Sequence, residues 1–227
     1  MLIRSFLSRL TVFHQVLHQV RYQLLLGSLL CVFVLNIVFP SNIYGGIAQL
    51  LYLPFQLLAA LALFQTNRTA LKVFLFCAAG LLLCRMVDFL LPFNFEPGLT
   101  GFYFAFFAGI TGELFRQLWR MSNAGHEAIY AGLSGFLLLG YCSYFLFLGI
   151  EFHTPGSFSG LGRNESIMND LFYFSYITIL TVGYGDIVPV SWVARNATIL
   201  AALAGNIYSL VVISTIVSRA NRPSTHG

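Results

Sequence analysis

The residues with the clearest chemical potential are Thr181-Val182-Gly183-Tyr184-Gly185, where the backbone itself supplies the ligands. An apolar stretch over 167–180 leads into them and is shorter than the roughly 20 residues a membrane span needs. Two glycines at alternate positions accept backbone angles that other residues avoid, which can turn successive carbonyls toward one axis. The Thr181 hydroxyl adds an oxygen at the inner end. Oxygen is the ligand a hard alkali cation takes in place of its hydration water. Irregular backbone at membrane depth persists only where protein buries it or it lines a polar path, so this loop implies an occupant. Enzyme chemistry has no comparable support, because no Ser/His/Asp set or metal-ligand cluster occurs at plausible depth. His14 and His18 share an i, i+4 face but lack a third ligand, and they read as a polar edge.

The elements that position such a loop must be membrane helices. Of 227 residues, 58% are hydrophobic and only 9% charged, against about 25% charged in a soluble domain. Mean hydropathy is +0.79. A water-soluble globule of this length could not hide that much apolar surface. The net charge of +4 comes from scattered bases, nearly all Arg, which fits cytoplasmic loops better than nucleic-acid binding. Cys31, Cys77, Cys84 and Cys142 each lie in an apolar run and read as buried or lipid-facing thiols.

The fold class expected is an all-α membrane protein of six transmembrane helices, plus a re-entrant pore helix and an extended loop. Residues 1–21 repeat apolar positions at helical spacing (Ile3, Phe6, Leu7, Leu10, Phe13, Leu17) and form an amphipathic interfacial helix. A four-span bundle follows over 22–120, with spans near 22–40, 43–65, 70–91 and 99–119. Residues 121–127 are a linker. A two-helix module covers 128–219, with spans near 128–150 and 192–218, and 220–227 form a short tail. With both termini in the cytoplasm, nine of the twelve bases fall inside; the opposite orientation places nine outside. The segment between the last two spans is then external.

The six residues Thr181 to Asp186 resemble the selectivity filter of the tetrameric potassium channels, a family whose carbonyl-lined filter is well established. Pro189, Arg195 and Gly205 extend the likeness through the two-helix module. The resemblance implies that Thr181, Val182, Gly183, Tyr184 and Gly185 coordinate K⁺, the permeant ion, with no cofactor. Asp186 is the filter's terminal aspartate. Tyr173 stands where many relatives carry a Trp bonded to that aspartate, and its hydroxyl can serve instead. Leu180 replaces a second Thr, and Ile177 a Glu found in some bacterial relatives; these departures bear on slow inactivation rather than ion selection. One filter copy per chain implies a homotetramer in a lipid bilayer. The resemblance further implies that Gly205 falls at the inner-helix hinge, that Asn206 and Ser209 face a water-filled cavity and that Ile213 or Val217 forms the constriction, a lipid-facing or interhelical position being the alternative for each.

The fourth span carries no base before Arg116, whereas a conventional voltage sensor needs several mobile charges. Arg85 with Asp88, and Glu113 with Arg116, are i, i+3 pairs that neutralise each other inside the membrane. Glu151, Arg163, Glu165 and Asp170 border the outer mouth as solvated loop charges. The sequence thus describes a passive potassium channel of the cell membrane, bacterial inner membrane being the natural setting, gated otherwise than by a conventional voltage sensor. A regulatory ligand or subunit would supply the stimulus; the competing class is a non-conducting subunit that regulates a partner. Replacing Arg116 and Arg120 with Gln is expected to leave any voltage dependence of potassium flux weakly changed, as read across imposed voltages in liposomes.

Overall fold

The computed structural model describes residues 20–38, 63, 79–80, 96–121, 126–162 and 167–220. The 1–19 segment, nearly all of the second and third spans with Arg85 and Asp88, linker residues 122–125, Arg163, Glu165, the side chains of Ile213 and Val217, and residues 221–227 lie outside the described residues. The chain divides into two compact units, Met1–Val73 and Phe74–Gly227. In the first, α1 runs Arg21–Val38, close to the expected first span. The Arg21 guanidinium lies over the Tyr22 ring, 4.6 Å from its centroid.

The second unit contains α2 (Glu96–Arg120), α3 (His126–His153), β1 (Phe158–Ser159), α4 (Ile167–Ile179), β2 (Val188–Pro189) and α5 (Trp192–Ala220). Helix α2 starts at Glu96, ahead of the expected boundary at 99. Pro97 occupies its first turn, where a missing N–H costs nothing because that donor has no helical partner anyway. Helix α3 starts at His126, inside the expected linker, with Glu127 in its first turn and His153 in its last, both matched to the helix dipole. At 1.5 Å per residue, α3 and α5 are about 42 and 44 Å long and α4 only about 20 Å. The hydrocarbon core is about 30 Å thick, so α4 cannot cross it. Among the described residues, His126–His153 is long and apolar enough to cross a membrane.

Helix α3 is the spine against which α2, α4 and α5 pack. Two glycines on it admit tyrosines from its neighbours. A Cβ at Gly140 would overlap the Tyr176 ring, and one at Gly135 would overlap the Tyr208 hydroxyl. Those tyrosines reach the spine's own backbone: Tyr176 Oη donates to Leu137 O at 2.8 Å, and Tyr208 Oη to Gly132 O at 2.6 Å. A buried phenol needs such an acceptor, and a helix carbonyl has a second lone pair to offer. Each contact therefore fixes α4 or α5 in rotation and height.

Aromatic rings fill the remaining contacts. Phe107 of α2 stacks on Tyr141 of α3 at 4.8 Å, and Tyr103 on Phe145 at 5.1 Å. Tyr141 and Tyr144 both meet the Phe172 ring edge-on at 5.5 Å. Phe147, Phe158 and Phe174 form a three-ring cluster that joins α3, β1 and α4. The two short strands pair antiparallel, Phe158 opposite Pro189 and Ser159 opposite Val188.

Gly140→Ala is expected to lower the stability of the purified protein by about 1–3 kcal/mol, the usual cost of overpacking. Gly109→Ala, where nothing lies within 4 Å of the added carbon, should cause no loss. Helical circular dichroism followed on heating in detergent checks both.

Candidate functional site

The site begins where α4 ends. Leu180 N–H donates to Tyr176 O at 2.9 Å and Thr181 N–H to Thr178 O at 3.1 Å. The N–H groups of Val182 and Gly183 both turn back to Ile177 O, at 2.9 and 3.3 Å. The N–H groups of Thr181, Val182 and Gly183 are thereby spent on the last carbonyls of α4. The loop's acceptors are left over: among the described residues no donor reaches the carbonyls of Thr181, Val182, Gly183 or Tyr184.

Backbone handedness explains how these carbonyls group. Thr181, Gly183 and Gly185 have φ of 58°, 55° and 81°, while Val182, Tyr184 and Asp186 between and after them keep negative φ. In an extended strand successive carbonyls point to opposite sides. Alternating left- and right-handed residues brings N–H groups to one side and carbonyls to the other. The two glycines accept the left-handed region freely. Thr181 does not, since a β-branched residue there is a genuine outlier costing of order 1–3 kcal/mol. The α4 hydrogen bonds on both sides hold it there. The glycines were legible in the sequence, but nothing in it signalled the Thr181 conformation.

The single chain leaves this loop open. Tyr184 is 73% exposed, and the Val182 side chain is exposed too. The carboxyl-terminal end of α4, with its partial negative charge, abuts Thr181 and adds to the field of the carbonyl row. The arrangement offers a line of oxygens suited to a cation.

Beyond the loop, Tyr173 Oη donates to Asp186 Oδ2 at 2.8 Å. That bond holds the Asp186 carboxyl below its ordinary value of 3.8 and the Tyr173 phenol above its ordinary 10.0. A second support comes from Gly160 (φ 86°), where a Cβ would overlap Asp186 O. The turn carrying Gly160 is tied by Glu151, whose carboxylate accepts from Gly156 N–H at 2.7 Å and Phe158 N–H at 3.1 Å. Glu151 is buried, so the expected solvated mouth charge is instead a turn anchor, held inward by those two donors. Asp170 likewise accepts from Gly162 N–H at 2.7 Å. Val190 N–H donates to Ser157 O at 2.8 Å, and Arg195 Nε to Pro189 O at 3.3 Å. Ser191 Oγ caps α5 by accepting from Ala194 N–H at 3.1 Å.

On α5, a Cβ at Gly205 would lie 2.9 Å from Ile179 O, so the missing side chain lets α5 touch the end of α4 backbone to backbone. The helix is continuous through this residue. Asn206 beside it is exposed and carries no partner among the described residues. Ser209 Oγ donates to Gly205 O at 3.0 Å. Ile213 lies one turn further along α5. On α2, Glu113 is 7% exposed and grips Arg116 through two bonds, Nη2–Oε1 at 2.6 Å and Nε–Oε2 at 3.0 Å. Gln117 Nε2 also donates to Glu113 Oε1 at 2.8 Å.

A family described as ion channel matches residues 137–222. The chain is 35% identical over 91 residues to protein LctB of Geobacillus stearothermophilus, covering 39% of this chain and 67% of that one. It is 35% identical over 121 residues to the voltage-gated potassium channel Kch of Escherichia coli (strain K12), covering 53% of this chain and 27% of that one. It is 36% identical over 75 residues to the inward rectifier potassium channel Kirbac3.1 of Paramagnetospirillum magnetotacticum, covering 33% and 22%. The chain thus spans two thirds of LctB but only about a quarter of either channel. No solved structure gives a significant match.

The Tyr173–Asp186 bond sets a pH window. A lowered carboxyl pKa gives stability that is present above 3.8 and lost as pH falls through the folded value; a raised phenol pKa gives stability lost only as pH rises past 10.0. Tyr173→Phe should therefore lower the melting temperature by a constant amount between pH of about 5 and 8, with the difference closing in stronger acid. Melting curves of both proteins across pH check this.

Proposed function

The chain belongs to the ion-channel family, and on that premise we propose that it is a potassium-selective channel in which four copies surround one pore. One observation carries the reading: alternating handedness from Thr181 to Gly185, with a row of carbonyls that no donor reaches among the described residues. A single row cannot enclose an ion. Four rows around an axis supply a complete oxygen shell to a dehydrated K⁺, and closed rotational symmetry is how identical chains achieve that. Thr181, Val182, Gly183 and Tyr184 are the coordinating residues, with Gly185 completing the backbone alternation. Asp186 and Tyr173 brace the outer end.

In this reading α4 is re-entrant, the chain crosses the cell membrane six times and both termini are cytoplasmic. Asn206 and Ser209 face the cavity below the filter, Gly205 sets the distance between α5 and α4, and Ile213 stands nearest the constriction. The names of the two potassium-channel relatives differ on gating, one voltage-gated and one an inward rectifier, so they supply no stimulus. Against a conventional voltage sensor stands α2: it carries no base before Arg116, and Arg116 is already committed to Glu113. Conduction is passive, and K⁺ is the only ligand the mechanism requires.

In liposomes the purified tetramer should pass K⁺ and exclude Na⁺. Gly183→Asp or Gly185→Asp should abolish the flux while the tetramer still assembles, because an aspartate cannot adopt the left-handed angle without strain and puts a charge in the ion's path. Flux equal to wild type in either variant overturns the filter assignment. Silence from a well-assembled wild-type tetramer favours a regulatory, non-conducting subunit.

A further inference from the structure

A shallow groove lies between the carboxyl-terminal half of α2 and the later turns of α5, lined by Phe115, Leu118, Trp119, Val211, Val212 and Thr215. Its lining is predominantly apolar. The Thr215 hydroxyl is turned back onto Val211 O at 2.6 Å, which leaves the Trp119 indole N–H as the other polar group of the lining. Its floor is firm, since Phe115 meets the Tyr208 ring edge-on at 5.3 Å and Tyr208 is bonded to α3. At its rim Trp119 is 75% exposed. The next residue, Arg120, is exposed and has no partner among the described residues.

Depth can be read from α5. The chain's other tryptophan, Trp192, is 79% exposed at the start of that continuous helix. Val212, beside Trp119 in the groove, follows it by 20 residues, or about 30 Å of helix, which is the thickness of a bilayer's hydrocarbon core. Exposed tryptophans favour the two membrane–water boundaries. The groove therefore opens at one boundary, with a mainly apolar lining and Arg120 next to its rim residue in sequence.

We propose that this groove seats an acyl chain of an anionic phospholipid, with Arg120 engaging the headgroup phosphate. The inference rests on the membrane-spanning arrangement of the previous subsection and adds a binding site on the side of the molecule away from the filter's outer end. Arg116 is a poorer partner for a lipid, because Glu113 already satisfies two of its donors.

The test uses the full-length protein carrying Trp192→Phe, so that Trp119 is the sole tryptophan, reconstituted in vesicles. Lipids brominated on the acyl chain quench a tryptophan they touch. Brominated phosphatidylglycerol should quench Trp119 with about fivefold higher apparent affinity than brominated phosphatidylcholine, the advantage one arginine confers on an anionic lipid. Arg120→Gln should remove the preference while leaving helical content unchanged. Equal quenching by both lipids, or a preference that survives Arg120→Gln, overturns the proposal. Potassium flux in the same vesicles keeps the two readings apart: flux with equal quenching sinks the lipid site alone, and selective quenching without flux sinks the channel alone.

Discussion

Among the described residues no donor reaches the backbone carbonyls from Thr181 to Tyr184, while the N–H groups of Thr181, Val182 and Gly183 are turned into α4. Unpaired acceptors away from water cost several kcal/mol unless positive charge reaches them. The rest of the second unit makes sense as the apparatus that keeps such a segment from relaxing. Tyr176 fixes α4 on the spine, and Tyr208 fixes α5 on it. Above the loop, the bonds from Gly156 and Phe158 to Glu151 shape a turn whose Gly160 lies against Asp186. Without these ties the loop's cheapest escape would be to rotate its peptide planes, satisfying its carbonyls and destroying their alignment.

A chain so poor in charge still contains many hydroxyls, and the helices deal with them locally. Thr111, Ser134, Ser143, Thr198 and Ser209 each donate to the carbonyl four residues earlier. A hydroxyl spent this way presents only its carbon surface to neighbours. Glu113 is handled by the same principle with charges, through Arg116 and Gln117 on its own helix. Polarity therefore does not dictate which face of a helix meets protein and which meets lipid, and Asn206, with no such local partner, stands out.

How much of this was visible in the residues depends on range. Gly183 and Gly185 announced themselves because only glycine takes their angles without strain, and the Tyr173–Asp186 pairing was expected from the resemblance to the potassium-channel filter, where a Trp stands at the Tyr173 position. Helix α4 was legible as an apolar stretch too short to cross. Glu151 was misread as a solvated charge, since its partners are backbone donors whose direction depends on a turn the side-chain pattern does not encode. The spine contacts were missed altogether. A tyrosine in an apolar helix signals a need for an acceptor, but not that Gly132 lies 76 positions before Tyr208. Glycines 135 and 140 read as ordinary helix residues until a ring occupies the space beside them.

The meeting of α5 and α4 at Gly205 has a mechanical side. Side chains between two helices act as a compliant layer: rotamers shift and small displacements are absorbed. At Gly205 that layer is absent, and the carbon position stands 2.9 Å from Ile179 O, two residues before Thr181. A sideways displacement of α5 at this height has no cushion to compress before it presses on the base of the carbonyl row. A backbone-to-backbone contact thus joins the longest of the described helices to the end of α4, two residues before the strained Thr181, so a shift of one is passed directly to the other.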